Sequence, residues 1–228
     1  SQSNFALKQS ISSYFNIDTS MVTIKFMPGS GCYGHNGADD VAFEASVLSK
    51  AYPDCHILLK WTREDEHCWE PYGSASINKL FGAINDEGQI VYWSNEAFSD
   101  TYLSRPSNEE LNNFTSFKFL NNDFTKIRSK PKTSAHMGIH RNLDPLYNFS
   151  KTRLVKNLVH DLPLRTSALR TLGAFANITS SESFLNDLAF AKNIDPFKIR
   201  INHLDDERAI EVLANLENLM KISSVKPN

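Results

Sequence analysis

Ser76–Phe98 reads SINKLFGAINDEGQIVYWSNEAF. Its two halves, Ser76–Asn85 and Gln89–Phe98, are rich in β-branched and aromatic residues. Asp86-Glu87-Gly88 between them is a hairpin signal. The stretch predicts an antiparallel hairpin, and it sets the frame for the rest of the chain.

Outward toward the N-terminus, Ser3–Phe15 has the apolar spacing of a helix, through Phe5, Ile11, Tyr14 and Phe15. Met21–Phe26 and His56–Trp61 read as strands. Between them lie a glycine-rich stretch, Gly29–Gly37, and a helix opening at Asp39 or Asp40 and closing before Pro53. Outward toward the C-terminus, Ser99–Asp123 is rich in Asn and Ser and reads as a long loop with short helical pieces. Thr152–Leu162 supplies another strand. Ser167–Gly173, Ser181–Lys192, Asp195–Asn202 and Asp205–Met220 then read as helices, with Pro196 in a first turn and Asp205 or Asp206 as an N-cap. Strands early and helices late predict an α+β fold: mixed sheet(s) with helices, sheet-rich over residues 1–150 and mainly helical over 151–228.

The composition excludes several function classes. A formal net charge of -2 on 228 residues, with basic residues scattered, gives no footprint for a nucleic acid. The densest basic patch, Lys126–Lys132, contains Ser129 and Pro131 and reads as a solvated loop. No apolar run approaches the roughly 20 residues of a membrane helix. Cys32, Cys55 and Cys68 are odd in number and lack a C-x-x-C spacing, which argues against a disulfide framework, a zinc ribbon or an iron–sulfur cluster. The chain opens on Ser1 rather than Met, as a start inside a longer protein or a tag remnant would give. The compartment is left open.

Gly29-Ser30-Gly31-Cys32-Tyr33-Gly34 matches G-x-G-x-x-G after a predicted strand. In a dinucleotide fold such a loop brings backbone N–H groups and a helix start against a pyrophosphate. Here His35-Asn36-Gly37 intervenes before the helix, and Asp39 and Asp40 would repel a phosphate, so a dinucleotide-binding enzyme is a distant reading. Glycines also let a backbone approach some other polar cofactor closely. His136 and His140 stand one helical turn apart, but Met137 replaces the glutamate of H-E-x-x-H and Gly138 weakens a helix, so no metal site is assigned. Arg63-Glu64-Asp65-Glu66-His67 reads as a solvated turn with an Arg63 ion pair. Trp61, Trp69, Tyr72 and Trp93 read as core before ligand-stacking residues. Arg165 and Arg170 lie in a segment poor in acids, Leu164–Gly173, where surface or salt-bridged arginines compete with an anion clamp.

Taken in order, these pieces resemble the molybdenum-cofactor-binding subunit of the xanthine dehydrogenase/aldehyde oxidase family, in the branch containing isoquinoline 1-oxidoreductase and nicotinate dehydrogenase-like proteins. Ser1-Gln2 resembles the segment whose glutamine faces the molybdenum centre. Gly31–Asp40 resembles the family's glycine-rich loop, and Trp61–Glu66 a segment that follows it. Ser167–Gly173 resembles the "phenylalanine-arginine-glycine" segment, and Asp195–Leu204 the helix motif after it. The resemblance spans nearly the whole chain. Tyr33 stands where the xanthine oxidase branch usually has phenylalanine, and His35-Asn36 replaces a Gly-Lys pair, departures that bear on the substrate.

The resemblance implies a molybdopterin cofactor, oxidation of an N-heterocycle or aldehyde with water as oxygen source, and electrons leaving through an iron–sulfur partner subunit. It implies that Gln2 bonds an oxygen ligand of the metal, that Gly31, Cys32, Tyr33 and Gly34 line the cofactor, and that Arg170 bonds near the metal. Residues 1–228 would then be a partial molybdopterin-binding region. The glutamate base is expected outside this chain, and the chain on its own is expected to be inactive, free of cofactor and inclined to self-associate. The alternative from a different class is a non-catalytic module that keeps the fold and binds a partner protein.

Overall fold

A computed structural model describes residues 3–27, 39–102, 114–120 and 130–222. The fold is α+β. In chain order the elements are α1 (Asn4–Phe15), α2 (Asp40–Ala51), α3 (Arg63–Trp69), β1 (Ser76–Ile84), β2 (Ile90–Ser99), α4 (Thr115–Leu120), β3 (Thr152–Leu158), α5 (Ala174–Lys192), α6 (Pro196–Ile201) and α7 (Glu207–Ile222), with 3-10 turns at Thr19–Met21 and Gly138–His140. They form two compact units. Unit 1 comprises Ser1–Ala75, Asp100–Thr133 and Leu158–Leu172; unit 2 comprises Ser76–Ser99, Ser134–Asn157 and Gly173–Asn228. No helix among the described residues is long and apolar enough to cross a membrane.

Unit 2 is built on the predicted hairpin. β1 and β2 pair antiparallel from Ser76↔Ser99 to Ile84↔Ile90, with a register shift at Ala83/Ile84, and β3 lies on the far side of β2 in a three-stranded sheet. The Asn85 side chain accepts the Gln89 N–H at 2.7 Å, and Gly88 takes φ 80°, a turn that alanine or a bulkier residue would strain. Ile90, Trp93, Phe149, Leu185, Ala189 and Ile199 form the core, with Trp93 stacked on Phe149 at 4.8 Å. Asn193 ends α5 in the left-handed conformation that asparagine tolerates, and Asp195 then caps α6, accepting the N–H groups of Phe197 and Lys198. Asp206 plays the same part for α7 by accepting the Arg208 N–H at 2.9 Å. His203 joins three segments of this unit. Its Nε2 accepts the Ile90 N–H at 2.9 Å, its Nδ1 lies 2.6 Å from the Ile199 carbonyl, and its own carbonyl accepts the Asn148 N–H at 2.7 Å.

Unit 1 is held by aromatic packing of helices. Leu7, Ile11, Phe43, Phe114 and Phe117 form its core, and Phe43 and Phe114 stack at 4.3 Å. Two predicted strands fail here. Of 21–26, Met21 closes a 3-10 turn and 22–26 run outside any strand of the sheet, as do 56–61. Val22 and Ile24 instead pack their alternate side chains on the helical core, so their period of two reports one-sided burial without a ladder. The solvated turn predicted at Arg63–His67 is the short helix α3, closed by a capping box in which Thr62 and Asp65 satisfy each other's backbone N–H groups. Arg63 does pair with Glu66.

The helix predicted at Ser167–Gly173 is also corrected. Thr166 forms a parallel bridge with Tyr72, and the helix begins only at Ala174, seven residues before the predicted Ser181. A Cβ on Gly173 would stand 2.6 and 2.7 Å from the Gly138 and Ile139 carbonyl oxygens, so the chain can pass there only as glycine.

Candidate functional site

Of the residues implicated by resemblance, Gln2, Gly31, Cys32, Tyr33 and Gly34 lie outside the described residues. Arg170 is described, and it is exposed. Its setting is unusual. Thr171 and Leu172, which follow it, have φ of 76° and 54°. Consecutive left-handed non-glycine residues are costly, and most so for the β-branched threonine. Such strain persists only where the surroundings over-determine the backbone.

Those surroundings are visible on the N-terminal side. The Tyr72 N–H donates to the Arg165 carbonyl at 2.9 Å, and the Ser167 N–H donates to the Tyr72 carbonyl at 3.0 Å. Thr166 Oγ1 donates to the buried Asp100 carboxylate at 2.8 Å. The Leu169 side chain fills the space beside Gly73, where an added Cβ would come within 2.7 Å of it. Residues 165–169 are therefore gripped by backbone, side chain and packing, while the turn beyond them directs Arg170 to the surface. Asparagine tolerates the left-handed region, so Thr171→Asn is expected to raise stability by about 1 kcal/mol. Denaturant unfolding of the two proteins checks this; an unchanged or lower midpoint would refute the strain.

Arg165 itself is not a surface residue. Its guanidinium meets Asp40 through Nη1 and Nη2 at 3.0 Å, with side-chain exposures of 10% and 2%. Asp40 also accepts the Thr115 N–H at 2.8 Å, and Arg165 donates to the Trp69 carbonyl. Asp40 is the first residue of α2, so the helix start that follows the glycine-rich stretch is tied to the segment leading to Arg170. By its position in the sequence Asp40 is a helix-dipole residue that would repel an anion. Its carboxylate is instead turned inward and neutralised. The signal is present in part, since a segment with two arginines and few acids must find its carboxylates elsewhere in the chain.

Glu44, one turn further along α2, carries no sequence signal of its own. Burial raises its pKa above the ordinary 4.5; the Trp61 Nε1–H, which donates to it at 2.9 Å, opposes that rise, and the nearby Asp40 charge adds to it. A carboxyl whose folded pKa is raised contributes more stability when protonated. That contribution is present below 4.5 and is lost as pH rises through the folded value. Glu44→Gln keeps an acceptor for Trp61. Its melting temperature should match the wild type in acid and exceed it by roughly a few degrees at neutral pH. A difference that does not grow with pH would contradict this assignment.

The histidine pair is engaged in other ways. His140 Nε2 lies 2.8 Å from the Ser134 carbonyl and Nδ1 lies 3.0 Å from Lys156 Nζ, while His136 is exposed. Among the described residues, no group of three or more His, Cys, Asp or Glu is placed to hold a metal ion. Trp93 is core, Trp61 is bonded to Glu44, and Trp69 and Tyr72 are about half exposed.

No family model matches the chain. It is 32% identical over 196 residues to a nicotinate dehydrogenase subunit of Pseudomonas putida, an alignment that covers 86% of this chain and 15% of that protein. Over most of its length, the chain is thus similar to one short stretch of a much longer dehydrogenase subunit.

Proposed function

We propose that this chain is part of the molybdenum-cofactor-binding subunit of a hydroxylase of the xanthine dehydrogenase/aldehyde oxidase family, in the isoquinoline 1-oxidoreductase-like branch. The enzyme oxidises an N-heterocycle or an aldehyde with water as oxygen source and passes electrons to an iron–sulfur partner subunit. The observation that carries the reading is the 32% identity sustained over 86% of the chain.

The described residues fit a large anionic cofactor at one point. Arg170 places a permanently charged, fork-shaped guanidinium at an exposed position of unit 1, on a turn gripped on its N-terminal side. When bound, the molybdopterin supplies the oxidising chemistry. The chain's part is to hold and orient it. Arg170 binds an anionic or oxygen group of the cofactor, Gly31, Cys32, Tyr33 and Gly34 line it, and Gln2 donates a hydrogen bond near the metal. No residue of this chain is assigned as the base, a role for a glutamate elsewhere in the subunit.

The test is metal analysis of the subunit expressed from its complete gene together with its electron-transfer partner. Near one molybdenum per subunit is expected, with reduction of an artificial electron acceptor by an N-heterocycle such as nicotinate or by an aldehyde. The 228-residue stretch alone should retain no stoichiometric molybdenum, since the matched stretch is 15% of the relative. A complete subunit without molybdenum sinks the reading.

A further inference from the structure

The Asp40–Arg165 pair is built more closely than stability requires. It joins residues 125 positions apart through a planar fork, which fixes angle as well as distance. Each member is held again by backbone, Asp40 by the Thr115 N–H and Arg165 by the Trp69 carbonyl and the Tyr72 ladder. A buried ion pair is weak evidence of stabilisation, because desolvation offsets much of the attraction, and well-packed apolar residues often do as well. Its best-attested use is to select one register. The register at stake here is that of two segments: the start of α2 and the stretch 165–169 that leads into the strained turn at Arg170.

We infer that Asp40 and Arg165 are positioning residues for the cofactor site, holding the Arg170 turn in fixed register with the start of α2. This rests on the reading that Arg170 meets the cofactor. Neither residue touches the cofactor itself. Loss of the fork should loosen the site even where the unit stays folded.

The experiment uses the complete-gene subunit with its partner and reads two quantities, molybdenum per subunit and melting temperature. Arg165→Lys keeps the charge and loses the fork. The double variant Asp40→Leu/Arg165→Met removes both buried charges and refills the space. Arg63→Ala, which breaks only the exposed pair with Glu66, is the control. Arg165→Lys should lose about tenfold in molybdenum content, the scale seen when supporting residues around a metal site are removed. The double variant should melt near the wild type and still load poorly, while Arg63→Ala loads normally. Two outcomes overturn the inference alone: Arg165→Lys loading as the wild type does, or the double variant recovering molybdenum together with its melting temperature. The second would mean that the pair acts only through stability. Should the double variant not fold, Arg165→Lys decides. A wild type without molybdenum overturns the cofactor reading first, and is told apart because the loss precedes any substitution.

Discussion

Trp93→Ala is expected to lower the stability of unit 2 by about 3–5 kcal/mol, the range for truncating a large aromatic side chain in a core. Trp93 is fully buried. It stacks on Phe149 at 4.8 Å and meets Phe184 at 5.4 Å, and the β2 strand that carries it is the middle strand of the sheet. The neighbours that would have to close the void are themselves anchored, Phe149 against Tyr147 and His203, Leu185 within α5. The void should therefore persist. Trp93 Nε1 is buried and finds no hydrogen-bond partner among the described residues. Trp93→Phe should consequently cost far less than the alanine change, because loss of that unsatisfied donor offsets part of the lost packing. Denaturant unfolding followed by circular dichroism compares the two. Equal losses for alanine and phenylalanine would show that the ring's bulk is not what the core uses.

Arg165→Ala is expected to cost about 3–5 kcal/mol in unit 1, the effect of removing one partner of a buried pair. The side chain it abandons, Asp40, is 2% exposed and held by the Thr115 N–H, so it cannot swing into water without giving up that bond. A loss of this size is a large fraction of the roughly 5–15 kcal/mol typical of a whole domain. By contrast, Arg63→Ala should be nearly silent, since Arg63 is 77% exposed and its pair with Glu66 is screened. Thermal melts of the two alanine variants side by side test the contrast; comparable shifts would mean that the buried fork carries no special weight.

What the sequence disclosed follows from how local each determinant is. The hairpin was legible because Asn85–Gln89 is a self-contained turn whose side-chain acceptor and glycine are neighbours in the chain. The pairs Asn193 with Ala189, and Asp195 with Phe197, are equally local, and the stop of α5 and the start of α6 were legible with them. The strands wrongly expected at 21–26 and 56–61 had the right alternation but no ladder among the described residues. Alternation records which side chains turn inward; whether a neighbour supplies N–H and C=O groups is decided by tertiary structure. Ser167–Gly173 failed as a helix for a similar reason. Tyr72, Asp100 and Gly73, all far away in sequence, hold the start of this stretch and the residues leading into it. In the candidate site, Arg170 was legible only through resemblance. The Asp40–Arg165 pair and the perturbed Glu44 depend on contacts across the chain that no local pattern announces.

The interleaving of the two units bears on how the chain comes into being. Each is stitched from three separate stretches, and the backbone passes from one to the other at 75/76, 99/100, 133/134, 157/158 and 172/173. During vectorial synthesis unit 1 cannot close its Asp40–Arg165 contact until Arg165 has left the ribosome, by which time two of the three pieces of unit 2 have already emerged. Unit 2 waits longer still, for its last piece, 173–228, so the units cannot fold from separate consecutive stretches as serially arranged domains do. For the same reason, no single cut in the gene yields either unit by itself, and a protease nick at 99/100, 133/134 or 157/158 would leave each piece contributing to both units.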